Sequence, residues 1–229
     1  MHHPLDNPIW SALNSGAAVH SYGTTQVRFV DRSMGFFAGL SAYGAAELDQ
    51  LYAAMEEEMR VVLFTPHALD LDDRWTVHND HELLQLVCES DCPKPDETED
   101  IRSLGEADVE EMLALTKLTK PGPFLEKTIA FGSYFGYFSK GRLLSMAGAR
   151  LAAGSYTEVS AVCTHPDVLG RGIAKQVLPF VLHSISVSGQ QPYLHLYPEN
   201  EPAYRLYRSL GFVPRASLRT YFLEKKKLG

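Results

Sequence analysis

The sequence predicts an α/β (α+β) protein: a mixed, mostly antiparallel sheet flanked by helices over residues 95–229, preceded by a smaller α/β domain over residues 1–94. Three observations lead there. Two glycine turns, "SKGR" and "AAGS", join three apolar runs into antiparallel hairpins. Two helical patterns then alternate with strands, which requires crossovers. Between the halves, "CPKPDETED" (Cys92 to Asp100) puts two prolines and a cluster of acids into one short stretch. Such a stretch packs no core and reads as a linker.

In the first half, "NPIWSAL" and "GAAELDQLYAAM" have helical periodicity, while "MRVVLF" and "HELLQLVC" are short apolar runs. His78 and His81, in "HNDHELL", could share one face of a helix, or stand exposed beside a turn. In the second half, "IRSLGEADVEEMLALTKLT" predicts a short strand and a helix. Its acids Glu106 and Asp108 suit the first turn, where the helix dipole favours negative charge. "KPGPF" (Lys120 to Phe124) ends that helix. The three hairpin strands follow over "SYFGYFSKGRLLSMAGARLAAGSYTEVSAVC", then a helix over "KQVLPFVLHSIS", the strand "PYLHLY", the helix "NEPAYRLYRSLG" and a last strand in "FVPRASLRTYFLEK". The order β-α-β-β-β-α-β-α-β is neither a Rossmann alternation nor a P-loop unit.

Composition excludes several classes. A net charge of −7 over 229 residues argues against nucleic-acid binding, despite the basic terminal "LEKKKLG". No apolar run approaches the ~18 residues of a membrane span, and "MHHPLDNPIWSAL" lacks the pattern of a secretion signal. Three dispersed cysteines form no disulfide framework, and Cys88 and Cys92 have no second pair with which to bind zinc. The expectation is a cytoplasmic protein without a metal, membrane or nucleic-acid partner.

The most informative stretch is "THPDVLGRGIAKQVL", Thr164 to Leu178: strand, glycine turn, helix. Helix N-termini carry about half a positive charge and free N–H groups, a ready site for a phosphate. The expected cradle is the backbone of Gly170, Arg171, Gly172, Ile173, Ala174 and Lys175, with Gly172 small enough for close approach and Arg171 adding charge. Upstream, strand alternation puts Glu158, Ser160, Val162 and Thr164 on one face. A carboxylate at Glu158 then either faces a cleft, where partial burial raises its pKa towards that of a useful base, or is solvated at the strand start. Tyr207 lies about two helical turns after Asn200, on the same face.

With "LGRGIA" matching R/Q-x-x-G-x-G/A, and "NEPAYRLYRSLGF" matching N-x-x-A-x-x-L-Y-x-x-x-G-F, residues 101–225 resemble the GNAT superfamily of N-acetyltransferases. Leu169 stands where the first motif has Arg or Gln, which removes one side-chain contact to the cofactor. "EVSAVCTHP" further resembles a glycine-N-acyltransferase-like branch with an added N-terminal domain.

The resemblance implies acetyl-CoA, or another acyl-CoA, as co-substrate and a small-molecule or peptide amine as acceptor. It implies that Ala161, Val162, Cys163 and Thr164 offer main-chain groups to the pantetheine arm. Asn200 and Ala203 would line the cofactor, and Tyr207 would act as the acid. The base is Glu158 or water, while His195 is a proton relay or a satisfied core histidine. Covalent catalysis by Cys163 is not expected, because the family transfers directly. A non-catalytic acyl-CoA sensor is the alternative. The acceptor groove is expected between "KPGPF", the Tyr134–Tyr137 hairpin and the N-terminal domain, with acids such as Glu126 attracting a cation. Monomer and homodimer both remain open.

Overall fold

The computed structural model describes residues 3–89, 92–96 and 98–227. His2, Glu97 of the acid-rich stretch, and Leu228 and Gly229 of the basic terminus lie outside the described residues. In the first half, helix α1 (Pro8–Leu13) precedes a three-stranded antiparallel sheet of β1 (Ser21–Gly23), β2 (Val27–Val30) and β3 (Ala38–Leu40). Helix α2 (Ala45–Ala54) and strands β4 (Arg60–Thr65) and β5 (Trp75–Cys88) follow. The second half runs β6 (Ile101–Leu104), α3 (Val109–Thr119), β7 (Tyr134–Ser139), β8 (Arg142–Ala153), β9 (Tyr156–Thr164), α4 (Ile173–Val187), β10 (Gln191–Leu196), α5 (Glu201–Ser209) and β11 (Phe212–Lys225). That order is the one read from the sequence.

The hairpin turns form for the expected reason. Lys140 and Gly141 (φ 50° and 73°), and Gly154 (φ 63°), take the left-handed backbone that tight hairpins need. Gly148, on β8, is required by packing instead. A Cβ there would strike the ring of Tyr134, which is 1% exposed.

The large sheet has eight strands in the order β4-β11-β5-β10-β9-β8-β7-β6, and its pairs are antiparallel except β9 with β10. The composition break at residues 92–100 therefore does not divide the sheet. Strand β5, from before the break, lies between β10 and β11, and β4 pairs the far side of β11. Cys92, inside the stretch, packs against the core under α4. Proline and acid content carry no information about which strands lie on either side of the stretch. His78 and His81 sit on β5 rather than on a helix; His78 Nε2 lies 2.6 Å from Glu224 Oε2, and His81 packs edge-on against Tyr197.

Both faces of the sheet are covered. Helix α4 buries Ile173, Val177, Leu178, Val181, Leu182 and Ile185, an i, i+4, i+5 stripe, on one face. Each such side chain contributes about 1.5–3 kcal/mol. Leu5, Ile9 and Leu13 cover the opposite face, above Leu83, Val87, Tyr193 and Leu218. No helix among the described residues is long and apolar enough to cross a membrane.

Candidate active site

The site begins where β9 and β10 part. They pair only at Gln191↔Tyr156, Pro192↔Thr157 and Tyr193↔Glu158, and then diverge. On its other side β9 carries a bulge: Ala161 and Val162 together oppose Ala147, between the pairs Gly148↔Ser160 and Met146↔Cys163. Ala161 holds φ 51°, an uncommon value for a residue with a side chain.

The bulge shifts the alternation of β9. Val159 and Val162 both pack towards α4, so Val162 does not share the face of Glu158 as simple alternation had it. The divergence opens a cavity of about 690 Å³. It runs from Leu169 and Pro166 past β9 and Tyr207 to Phe37, Phe64 and Phe222 on the opposite face.

At the Leu169 end lies the glycine turn that opens α4. The backbone N–H groups from Gly170 to Ala174 have no hydrogen-bond partner among the described residues; the first to find one is Lys175, which donates to the Gly172 carbonyl at 3.1 Å. Gly170 and Gly172 have φ of 74° and 73°, and a Cβ at either would meet no protein atom within 4 Å. The glycines serve the left-handed turn first and leave open space in front of the amides second. Arg171 and Lys175 are exposed there, and Leu169 is 63% exposed at the cavity mouth. These are the residues that would hold the diphosphate of coenzyme A, and their free donors fit it.

Glu158 departs from expectation. It is fully buried rather than partly so, at 2% exposure. Burial pushes its carboxyl upward, but Arg150 and His195 outweigh that effect and hold it at about 2. Arg150 Nε donates to Oε2 at 2.8 Å, and His195 Nδ1 lies 2.9 Å from Oε1. His195 Nε2 in turn faces Gln85 Nε2 at 3.0 Å. Arg215 donates to Gln85 Oε1 at 2.8 Å and to Asp6 Oδ1 at 2.5 Å. With the Gln85 amide nitrogen facing Nε2 and the Glu158 carboxylate facing Nδ1, His195 accepts at Nε2 and donates from Nδ1. Both ring nitrogens are thus occupied, which is the satisfied core histidine.

Tyr207 lines the cavity at 7% exposure, and burial raises its phenol above the ordinary value. Asn200 also lines the cavity, but its Oδ1 accepts from Ala203 N at 3.2 Å and so caps α5. Ala203, Ala161, Val162, Cys163 and Thr164 all border the cavity. The Cys163 thiol is pushed up to about 11 by burial, so it is not ionised near neutrality. Ser145 ties β8 to β9 here, with Oγ 2.9 Å from the Cys163 carbonyl and 2.8 Å from Thr164 Oγ1.

"KPGPF" and the first half do wall the cavity, through Lys120 to Pro123 and through Phe37, Val62, Phe64 and Leu83. The Tyr134–Tyr137 hairpin does not; Phe135 packs on Phe180 and Tyr134 lies in the core beside α3. Glu126 is not among the lining residues either. Sequence reasoning missed Arg150, Gln85, Phe37 and Phe64. Each is an ordinary strand or loop residue until the fold gathers it, and no local signal marks it.

The bulged, diverging strand pair thus stands beside an open helix N-terminus in a mixed, mostly antiparallel sheet. The chain aligns over 99% of its length with 100% of a protein described as a GNAT-family acetyltransferase from Novosphingobium aromaticivorans, at 33% identity and a TM-score of 0.92. Residues 134–223 match the family described as FR47-like protein. The chain therefore belongs to the GNAT family of acetyltransferases.

A GCN5-related N-acetyltransferase from Kribbella flavida shares the fold at 17% identity, with a TM-score of 0.65 over 98% of this chain and 96% of that one. A GCN5-related N-acetyltransferase-like protein from Streptococcus suis does so at 15% identity and 0.57, over 89% and 82%. No curated protein matches the chain.

Proposed function

We propose that the protein is an acyl-CoA-dependent N-acyltransferase that moves acetyl from acetyl-CoA to a primary amine by direct attack, within the glycine-N-acyltransferase-like branch. The observation that carries this reading is the continuity of the free amides at Gly170–Ala174 with a cavity that passes a buried tyrosine. Bound acyl-CoA supplies a thioester, an acyl carbon open to attack and a thiol able to leave.

Main-chain groups at the bulge of Ala161 and Val162 orient the pantetheine arm and the acyl oxygen. Tyr207, kept protonated by burial, gives its proton to the departing sulfur and regains one from solvent. In balance, an N–C bond forms, the C–S bond breaks, the amine loses one proton and the sulfur gains one. With its carboxyl held at about 2, Glu158 is a weak base. The proton lost by the amine passes to solvent in the open cavity, and Glu158 fixes Arg150 and His195.

The same finding favours the second reading, an acyl-CoA sensor without catalysis, since the cavity holds no unpaired carboxylate. A thiol-release screen of acetyl-CoA against amino acids, polyamines, aminoglycosides and peptides, run beside direct measurement of coenzyme A affinity, separates the two. Tight cofactor binding with thiol release on no amine sinks the enzyme and leaves the sensor.

A further inference from the structure

We propose that the acceptor end of the cavity takes an amine that also carries a carboxylate on an apolar frame, with the Arg150 guanidinium as its anchor. This names the substrate class of the site just described and rests on that reading. Guanidinium offers five N–H donors in a plane. Arg150 spends one, from Nε to Glu158.

Its Nη nitrogens have no protein partner among the described residues. Nor are they sealed in the core: the sealed, unpartnered side-chain polar atoms there are Arg32 Nη1 and Asn79 Oδ1. Arg150 borders both the main cavity and a small neighbouring one walled by Phe124, Thr128 and Tyr134, and we assign its free edge to the main cavity. The Phe37 ring lies 4.5 Å from the guanidinium carbon and fixes the plane of the fork.

The surroundings narrow the partner. Although the chain carries −7, the charged side chains lining this cavity are Lys120, Arg150 and Glu158. Both Glu158 oxygens are already occupied, one by Arg150 and one by His195. A polyamine or aminoglycoside would find no free carboxylate, whereas an anion finds an unsatisfied, two-pronged donor edge of the geometry that suits carboxylates. Phe37, Val62, Phe64, Leu83 and Phe222 supply apolar walls for the rest of the molecule.

Two measurements on the full chain test this. In the first, 3-phenylpropanoate and 3-phenylpropan-1-ol are titrated calorimetrically into protein saturated with coenzyme A. The acid should bind at least about tenfold more tightly, and Arg150→Gln should bring the two within about threefold. Equal affinities in the wild type overturn the proposal whether or not the variant folds, as does failure of the acid to bind.

In the second, thiol release from acetyl-CoA is compared for phenylalanine and phenethylamine, which differ by the carboxylate. A kcat/KM at least about tenfold higher for phenylalanine, carried mainly by KM, is expected. Equal or faster turnover of phenethylamine overturns the carboxylate anchor while leaving the acyltransferase intact. Selective acid binding with no thiol release from any amine would instead sink the acyltransferase.

Discussion

Glu158 Oε1 lies 2.9 Å from His195 Nδ1, at the point where β9 and β10 stop pairing and the cavity opens. With Arg150 on its other oxygen, the carboxylate belongs to a buried, mutually satisfied set rather than standing as an isolated base. Removing one partner from such a set leaves a charge in the core, which costs more than the pair contributed.

Glu158→Gln should therefore lower stability by about 3–5 kcal/mol through an unpaired Arg150. The sign of the pH dependence follows from a carboxyl held at about 2 against an ordinary 4.5. Its contribution is present above about 4.5 and is lost as pH falls towards 2. Denaturation midpoints across that range should fall more steeply for the wild type than for the variant; parallel curves would show that the carboxylate carries no stabilising charge.

Tyr207→Phe removes the proton donor and little else, because the ring stays packed on Phe212. Turnover should drop about 10²-fold, with coenzyme A affinity within about twofold. A wild-type rate in the thiol-release assay would remove the role.

Gly172→Val tests the cradle. The position has φ 73° and open space around it, so the cost to folding is about 1–2 kcal/mol, while the branched side chain stands in front of the amides. A folded protein with coenzyme A binding reduced at least about tenfold is expected, read by calorimetry beside a melting curve. Unimpaired binding would place the diphosphate elsewhere.

Gly148→Ala acts on the fold alone. Its new methyl meets the Tyr134 ring between β7 and β8, an overpacking cost of about 1–3 kcal/mol. Melting temperature should fall, and the double change Gly148→Ala with Tyr134→Leu should recover part of the loss. If the second change restores nothing, the clash is not the cause.

Much of the fold is legible in local order along the chain. The hairpins over 134–164 follow from glycines at positions that demand positive φ, and helices α4 and α5 from apolar periodicity. The cradle at Gly170–Lys175 is also local: a turn and the helix it opens lie within a few residues, so sequence order and spatial order coincide. Less can be read where the partners are distant. Glu158 is visible as an odd carboxylate in a strand, but the direction of its pKa depends on Arg150, eight residues back, and on His195, 37 residues ahead.

By itself, the sequence determined the order of the elements, the glycine turn that opens α4 and the helix that carries Tyr207, since short-range backbone geometry and periodicity encode all three. Only the tertiary structure decided that β5 enters the sheet between β10 and β11, that Glu158 is paired rather than poised, and that Arg150 stands beside Phe37 at the cavity. Strand pairing and charge pairing join residues far apart in the chain, and no pattern of neighbours reports which distant partner a side chain will meet.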